Sequence, residues 1–269
     1  MDDGGVSERA PRTSHGYTFR AAAPADARAI VSVFRAAMPA AVVSVNVLGN
    51  PKASRFVDRS IAATASSGSD RYWVAEDEKG RVVAFAQLRL GRRIAFINNI
   101  HVKPGFQGMG IGDRLMRLMT EAVTASDVGA DVFDGSATSA GIFERASFTP
   151  VGTYHWHILD PHPGEPGSYV VHDLPQADVV HDAFGVSLVR VETDSGTHAV
   201  GRIGPRLFRL TGAVPLKDPG LRPALTAIDP QRSVLAIVPD DEDPLPTPHA
   251  LRSRRLRARR TDLVAKYGT

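Results

Sequence analysis

Hydrophobic positions along the first 160 residues fall into a repeating sequence of β- and α-type periodicities. Residues 17–20 form a short run of β character. Pro24 and Asp26 then open a helical pattern, with Ala27, Ile30, Val31, Val33 and Phe34 on its apolar face. A second helix is expected over residues 53–66, ended by Gly68. Residues 71–75 and 81–90 read as strands joined by the polar segment Glu76-Asp77-Glu78-Lys79-Gly80, a hairpin signal. A third strand is expected over 92–102, a glycine-rich stretch over 106–112 and a helix over 113–126. The helix would bury Leu115, Met116, Leu118, Met119, Ala122 and Val123. A strand over 128–135, a short helix over 139–146 and a strand over 150–159 complete the order β-α-α-β-β-β-α-β-α-β.

Prolines and glycines between residues 161 and 168 mark a linker. Beyond it the pattern is β-rich, with strands expected over 185–192, 197–203, 206–213 and 233–238 and a helix near 221–228. Residues 239–248 are acidic and proline-rich, and residues 251–266 read as a basic helix. The expected organisation is a disordered leader (1–16), a first domain (17–160), a linker (161–168), a smaller β-rich domain (169–247) and a basic helical tail (248–269). A weak internal repeat relates 208–228 to 96–123, each reading strand, proline-containing loop, helix. Degenerate duplication and a convergent β addition both account for it.

Composition narrows the function. Of the 269 residues 43% are hydrophobic, enough for a core of ordinary size. The absence of cysteine excludes disulfides, thiolate metal sites and a cysteine nucleophile. No apolar run suits a membrane span, and the polar N-terminus lacks the apolar core of a secretory signal, so a cytoplasmic location is the expectation. The net charge of +3 is uneven: residues 250–269 carry +6 and the remainder −3. The arginine run from Arg252 to Arg260 is read as a solvated helix face, or as packing on Asp240-Asp241-Glu242-Asp243, in preference to a nucleic-acid contact. No aromatics interleave with it to stack on single-stranded bases.

The segment that carries chemistry is Gln107-Gly108-Met109-Gly110-Ile111-Gly112, between a strand and a helix. Glycine lets the backbone turn tightly and approach a ligand. Successive N–H groups then converge at a helix N-terminus, a place suited to an anionic diphosphate. The helix dipole supplies only about 0.3–1 kcal/mol, so the converging hydrogen bonds must do most of the holding. Antiparallel-type strands precede the turn and no Lys-Ser/Thr pair follows, which argues against a dinucleotide fold or a P-loop.

These residues resemble the GNAT superfamily of acyltransferases, whose Gln/Arg-x-x-Gly-x-Gly/Ala signature is matched by Gln107, Gly110 and Gly112. A second match is Ala140-Gly141-Ile142-Phe143-Glu144-Arg145-Ala146-Ser147-Phe148, which resembles the family's Leu-Tyr-Glu-Arg-x-Gly-Phe helix. The resemblance covers residues 17–160. It implies an α/β (α+β) fold, with a mixed, mainly antiparallel sheet flanked by helices. It also implies transfer of an acetyl group from acetyl-coenzyme A, as co-substrate, to the amine of a small or amino-acid-like acceptor by direct attack on the thioester. A catalytically weak acyl-coenzyme A-binding module and a protein N-acetyltransferase docking through the tail are the alternatives. A homodimer is left open.

Coenzyme contacts implied by the resemblance are the backbone of Ile100, His101 and Val102 for pantetheine and that of Gln107, Gly108, Met109, Gly110, Ile111, Gly112 and Asp113 for the diphosphate, with Ser139 and Phe143 nearby. Phe143 stands where the family usually has a tyrosine that protonates the leaving thiolate. Three readings follow: no dedicated acid, a substitute such as Tyr154 or Ser139, or binding without catalysis. A positioned acid contributes roughly 10²–10⁴-fold. Where the family often has an acidic or histidine base, this chain has Asn98 and Asn99. Strand alternation puts Asn98, Ile100 and Val102 on one face and Asn99 and His101 on the other, unless a bulge intervenes. Asn98 would orient a water; His101 would accept a proton. His155 and His157 share a face and mark either an amine site or a structural cluster. No third ligand accompanies them, so no metal is expected. The loop 37–52 is expected to wall the acceptor site with valines and no carboxylate.

Overall fold

The computed structural model describes residues 12–14, 16–64, 68–162, 164, 167–243, 245 and 248–268. The chain begins with β1 (Arg12–Ser14) and β2 (Tyr17–Ala21), then a 3-10 turn (Pro24–Asp26), α1 (Ala27–Ala37), α2 (Ala40–Val45), a second 3-10 turn (Val47–Gly49) and α3 (Ala53–Thr64). Next come β3 (Asp70–Glu76), β4 (Val82–Arg89), β5 (Ile94–Val102), α4 (Ile111–Ala122), β6 (Asp127–Phe133), α5 (Ala137–Arg145) and β7 (Thr149–Leu159). The second half holds β8 (Tyr169–His172), α6 (Leu174–Phe184), β9 (Val186–Thr193), β10 (Gly196–Ile203), β11 (Leu207–Thr211), α7 (Leu221–Ile228) and β12 (Ser233–Pro239). A 3-10 turn (Asp240–Glu242), β13 (Leu251–Arg259) and α8 (Arg260–Tyr267) follow.

The expected alternation of the first half is present, with three differences. Residues 12–14 of the expected leader pair with β2, Arg12 opposite Phe19, while residues 1–11 and 15 lie outside the described residues. The helix expected over 113–126 starts at Ile111 and stops at Ala122, because Asp127 already pairs in β6. The loop 37–52 contains α2 and a 3-10 turn. Beyond residue 160 the sequence reading lacked β8 and α6 and misplaced the basic segment. Residues 251–259 are a strand, not a helix. Ser253, Leu256 and Ala258 are buried while Arg252, Arg254, Arg257 and Arg259 are exposed, the alternation a strand requires.

The thirteen strands of the described residues join in one mixed, mainly antiparallel sheet, ordered β1-β2-β3-β4-β5-β6-β13-β7-β12-β11-β10-β9-β8. Its centre is an exchange. β6 does not pair with β7; β13 lies between them, antiparallel to both. β7 in turn pairs with β12 of the second half. β5–α4–β6 and β11–α7–β12 are both parallel pairs with a crossover helix.

Helices cover both faces of the first half. α4, α5 and α8 pack over β3–β6 and β13 through Leu115, Met116, Met119, Phe143, Phe148, Leu256 and Leu263. α1 and α3 cover the other face through Ile30, Phe34, Val57, Val74 and Phe85. Each fully buried side chain of this size contributes about 1.5–3 kcal/mol. α6 and α7 pack on β9–β12. A fourth cluster joins the halves: Val45 and Val47 meet Ile203, Leu207, Leu235 and Ile237. Among the described residues no helix is long and apolar enough to cross a membrane.

Candidate active site

The strands β5 and β6 part company. They pair in parallel only from Ile94↔Asp127 to Ile97↔Ala130, while β5 stays paired with β4 as far as Val102. Beyond Ile97 the edge of β5 that faces β6 is released, and a cleft opens between residues 98–102 and Asp131, Val132 and Phe133. A row of unpaired backbone groups on a strand edge is a template for an extended, amide-bearing ligand. A cavity of about 240 Å³ adjoins it, lined by Ile100, His101, Val102, Gln107, Gly135, Ser136 and Ser139 among others.

A bulge sets the parity in β5. Gln87 faces Asn99 and Leu88 faces Ile97, so Asn98 has no opposite number. Ala95 and Ile97 consequently share the α4 face with Ile100 and Val102. Asn98 is therefore not on the face of Ile100 and Val102, as simple alternation had it. Asn99 and His101 do share a face, and their side chains are joined: His101 Nε2 lies 3.2 Å from Asn99 Oδ1. Asn99 Nδ2 donates to Gln87 Oε1 at 2.7 Å, and Gln87 Nε2 donates to Asp70 Oδ1 at 3.1 Å.

His101 packs between Phe34 and Phe85, with ring centroids 5.4 and 5.5 Å away. An edge of the ring meets the cavity, yet desolvation pushes its pKa down to about 4. At neutral pH it is an uncharged ring and a weak base. Between about pH 6.5 and 4 the unfolded chain takes up a proton that the folded chain refuses. Stability is therefore expected to fall as pH drops through this window and to level off below it, by up to about 3 kcal/mol. Urea unfolding at pH 7 and pH 4.5 checks this: His101→Gln should lose less stability on acidification than the unaltered chain, and an equal loss would contradict it.

The glycine-rich turn follows β5 directly. Gln107 Nε2 donates to the Val102 carbonyl at 3.1 Å, fastening the turn to the strand end. Gly108 and Gly110 have φ of +77° and +74°, which glycine adopts without strain, and a Cβ at either would meet nothing within 4 Å. Gly110 is the N-cap of α4, and no side chain caps that helix. The first-turn N–H groups of Ile111, Gly112 and Asp113 have no acceptor within the helix and are available as anion donors beside the open space at Gly108 and Gly110. Gly112 serves a different need: a Cβ there would come 2.7 Å from Ile142 Cδ1, so its absence lets α4 and α5 pack closely. The Asp113 carboxylate is drawn to Arg145 Nη2 at 3.4 Å.

The two cavities share Ile100, His101, Ser136 and Ser139. The second cavity is lined further by Phe34, Met38, Asn46, Asn98, Asn99, Asp131 and Phe143. Phe143 is buried there and stacks edge-on against Phe148 at 5.0 Å. Ser136, which the sequence reading missed, presents a buried Oγ with no hydrogen-bond partner among the described residues. No sequence pattern marks it; it sits where α5 begins. Asp131 is held by Arg255 of β13 through paired contacts of 2.7 and 2.8 Å. The exchanged strand thus fixes a wall residue of the cleft.

Two expected catalytic residues lie elsewhere. Tyr154 and His155 line neither cavity. Tyr154 OH accepts from Arg255 Nη1 at 3.0 Å, with the guanidinium 4.2 Å over its ring. His155 sits among carboxylates at the back of β7. The valines of the 37–52 loop also differ from expectation: Val42 and Val45 are buried in the protein, and Met38, Pro39 and Asn46 face the cavities instead.

Comparison with known proteins agrees with this geometry. Residues 68–150 match the model of the acetyltransferase (GNAT) domain. The chain carries a GNAT acetyltransferase domain. The matched segment runs from β3 to the start of β7 and contains the cleft and the glycine turn, while Phe34, Met38, Pro39 and Asn46 of the cavity walls precede it. The GNAT reaction is acyl transfer from acyl-coenzyme A, and the uncapped helix, open turn and released strand edge suit that co-substrate. The fold extends beyond the matched segment. A GCN5-related N-acetyltransferase from Sphaerobacter thermophilus superposes with a TM-score of 0.57 at 17% identity, covering 93% of this chain and 97% of its own. A tandem GNAT protein from the clavulanic acid biosynthesis pathway gives 0.58 at 16% identity, covering 91% and 98%. No curated protein matches the chain.

Proposed function

We propose that the protein is an acetyl-coenzyme A-dependent N-acetyltransferase acting on the primary amine of a small or amino-acid-like acceptor. The observation that carries this reading is the released edge of β5 leading straight into the uncapped N-terminus of α4. Pantetheine amides would pair with Ile100 and Val102, and the diphosphate would take the N–H groups around Gly110, Ile111 and Gly112. The bound thioester supplies an electrophilic carbonyl. A β5 backbone N–H beside it polarises that carbonyl, and the cavity walls hold the amine in line.

No unpaired carboxylate lines either cavity among the described residues, since Asp131 is engaged by Arg255. His101, neutral with a pKa near 4, is too weak a base to keep an ammonium proton. The acceptor must then arrive as the free amine, its proton leaving through water ordered by Asn46, Asn98 and Asn99. Ser136 and Ser139 hydroxyls stand where Phe143 offers no proton, ready to solvate the departing thiolate.

The second half is read as a degenerate GNAT-like copy without a coenzyme site. β11 stays zipped to β12 along its whole length, Leu207↔Ser233 to Thr211↔Ile237, so it has no released edge like that of β5. The start of α7 is already served by a built-in anion: Asp218 Oδ1 accepts from Gly220 N at 2.9 Å. The placement of 251–259 inside the sheet removes the free basic tail that protein docking would use.

Calorimetric titration with acetyl-coenzyme A, followed by thiol release against a panel of primary amines, tests the reading. The expected result is one equivalent bound per chain and turnover with a small amine. The turnover should have a kcat/KM that rises with pH toward the amine's own pKa. Binding without turnover on any amine would leave an inert module, and turnover on protein substrates alone would favour a protein acetyltransferase.

A further inference from the structure

His155 and His157 alternate along β7 and so project from one face of the sheet. β7 pairs there with β12, His155 opposite Val238 and His157 opposite Ala236. The 3-10 turn after β12 folds Asp243 back over the pair. Asp243 Oδ2 lies 2.7 Å from His157 Nε2 and 3.0 Å from His155 Nδ1. Asp240 Oδ1 lies 3.1 Å from the other nitrogen of His155, Nε2. The donor atoms of His155, His157 and Asp243 all fall within 4.8 Å of one another. The His157 side chain is 1% exposed, Asp243 10% and His155 18%, so water contributes little to their solvation.

Counting protons exposes a deficit. A neutral imidazole has one N–H and one lone pair. His155 faces carboxylate oxygens with both nitrogens, so in its neutral form one lone pair points at an anion. If Nε2–H is donated to Asp240, the Nδ1 lone pair is aimed at Asp243, and His157 meets the same oxygen. A cation among the three groups removes that conflict. A carboxylate behind one histidine nitrogen, fixing the tautomer that frees the other, is the usual outer support of a metal-bound histidine.

We infer that His155 Nδ1, His157 Nε2 and Asp243 Oδ2 form a binding site for one divalent transition-metal ion of the zinc type, with Asp240 orienting His155. Two imidazoles and a carboxylate suit zinc and its neighbours rather than calcium or magnesium. Bonds of about 2.0–2.1 Å place tetrahedral donors about 3.3 Å apart, so the two histidine–carboxylate distances of 2.7 and 3.0 Å need to open by about 0.3–0.6 Å. The fourth position is open to water or to His249, whose ring stacks on His155 at 4.4 Å. The site lies outside both cavities. It ties β7, the last strand of the first half, to the segment that follows β12, and so acts as a clamp on the strand exchange.

The test uses the full chain stripped with chelator and titrated with Zn²⁺ and Co²⁺. One ion per chain is expected, with visible Co²⁺ bands of a four- or five-coordinate centre and a melting temperature several degrees above the stripped form. Asp243→Asn and His157→Gln should each weaken binding roughly 100-fold, and Asp240→Asn about 10–100-fold. Should a variant fail to fold, the histidine ring resonances of the unaltered chain decide the matter. Zn²⁺ must shift those of His155 and His157, and a titration that leaves them unmoved overturns the site. So does an absence of stoichiometric binding, which would mean that a protonated His155 bridges the two carboxylates instead. Full retention of binding in both folded ligand variants would do the same.

Discussion

A chain ending at Ala250 is expected to give aggregated protein with no cooperative thermal transition. The deletion removes β13 from between β6 and β7 and leaves both strands with an unpaired edge in the middle of the sheet. It also strips Leu256, Ala258, Leu263 and Tyr267 from the core under α4. Leu256 and Leu263 alone contribute about 1.5–3 kcal/mol each. Adding the exposed ladder groups, the loss approaches the whole stability of a typical domain, about 5–15 kcal/mol. Point variants separate a strand from a solvated helix. Leu256→Ala should cost about 2–4 kcal/mol, whereas Arg257→Ala, on the exposed face, should stay within about 0.5 kcal/mol. A truncated protein that melts like the intact one would remove β13 from the sheet.

Gly110→Val should abolish measurable acetyl-coenzyme A binding, raising Kd at least about 100-fold, while the chain remains folded. A Cβ at this position meets no protein atom, so the new side chain occupies the space left for the ligand. The φ of +74° adds backbone strain of roughly 1–3 kcal/mol for a β-branched residue. Gly80→Val is the control, because Gly80 has a φ of +71° and equally open surroundings in the β3–β4 turn, far from the cleft. Both variants should melt a few degrees lower, and only the first should lose the coenzyme. Unchanged affinity in Gly110→Val would refute the diphosphate assignment.

How much of this was legible beforehand depended on sequence distance. The β3–β4 hairpin, the glycine turn and α4 are local and were read from their own residues. The bulge at Asn98 was left open, since its extra position is set by the pairing of Gln87 with Asn99 and of Leu88 with Ile97 on the neighbouring strand. β13 was misread because a run of arginines suggested a solvated helix. Its alternation of Ser253, Leu256 and Ala258 with arginines was present, but a bulge between Arg255 and Leu256 breaks the period. The partner of His155 and His157 was invisible for a plainer reason: Asp243 lies 86 residues from His157. Ser136 was passed over because its significance is the absence of a partner, which only packing reveals.

The crossing at the centre of the sheet also constrains how the protein is made. Asp131 waits for Arg255, 124 residues further on, before its wall of the cleft is set. During synthesis the portion holding the glycine turn emerges early but cannot close on its own; β6 and β7 must stay soluble until β13 is released from the ribosome. Catalytic competence is therefore expected to appear only after translation has passed the second half, in a single late step, so that no working fragment accumulates on the way.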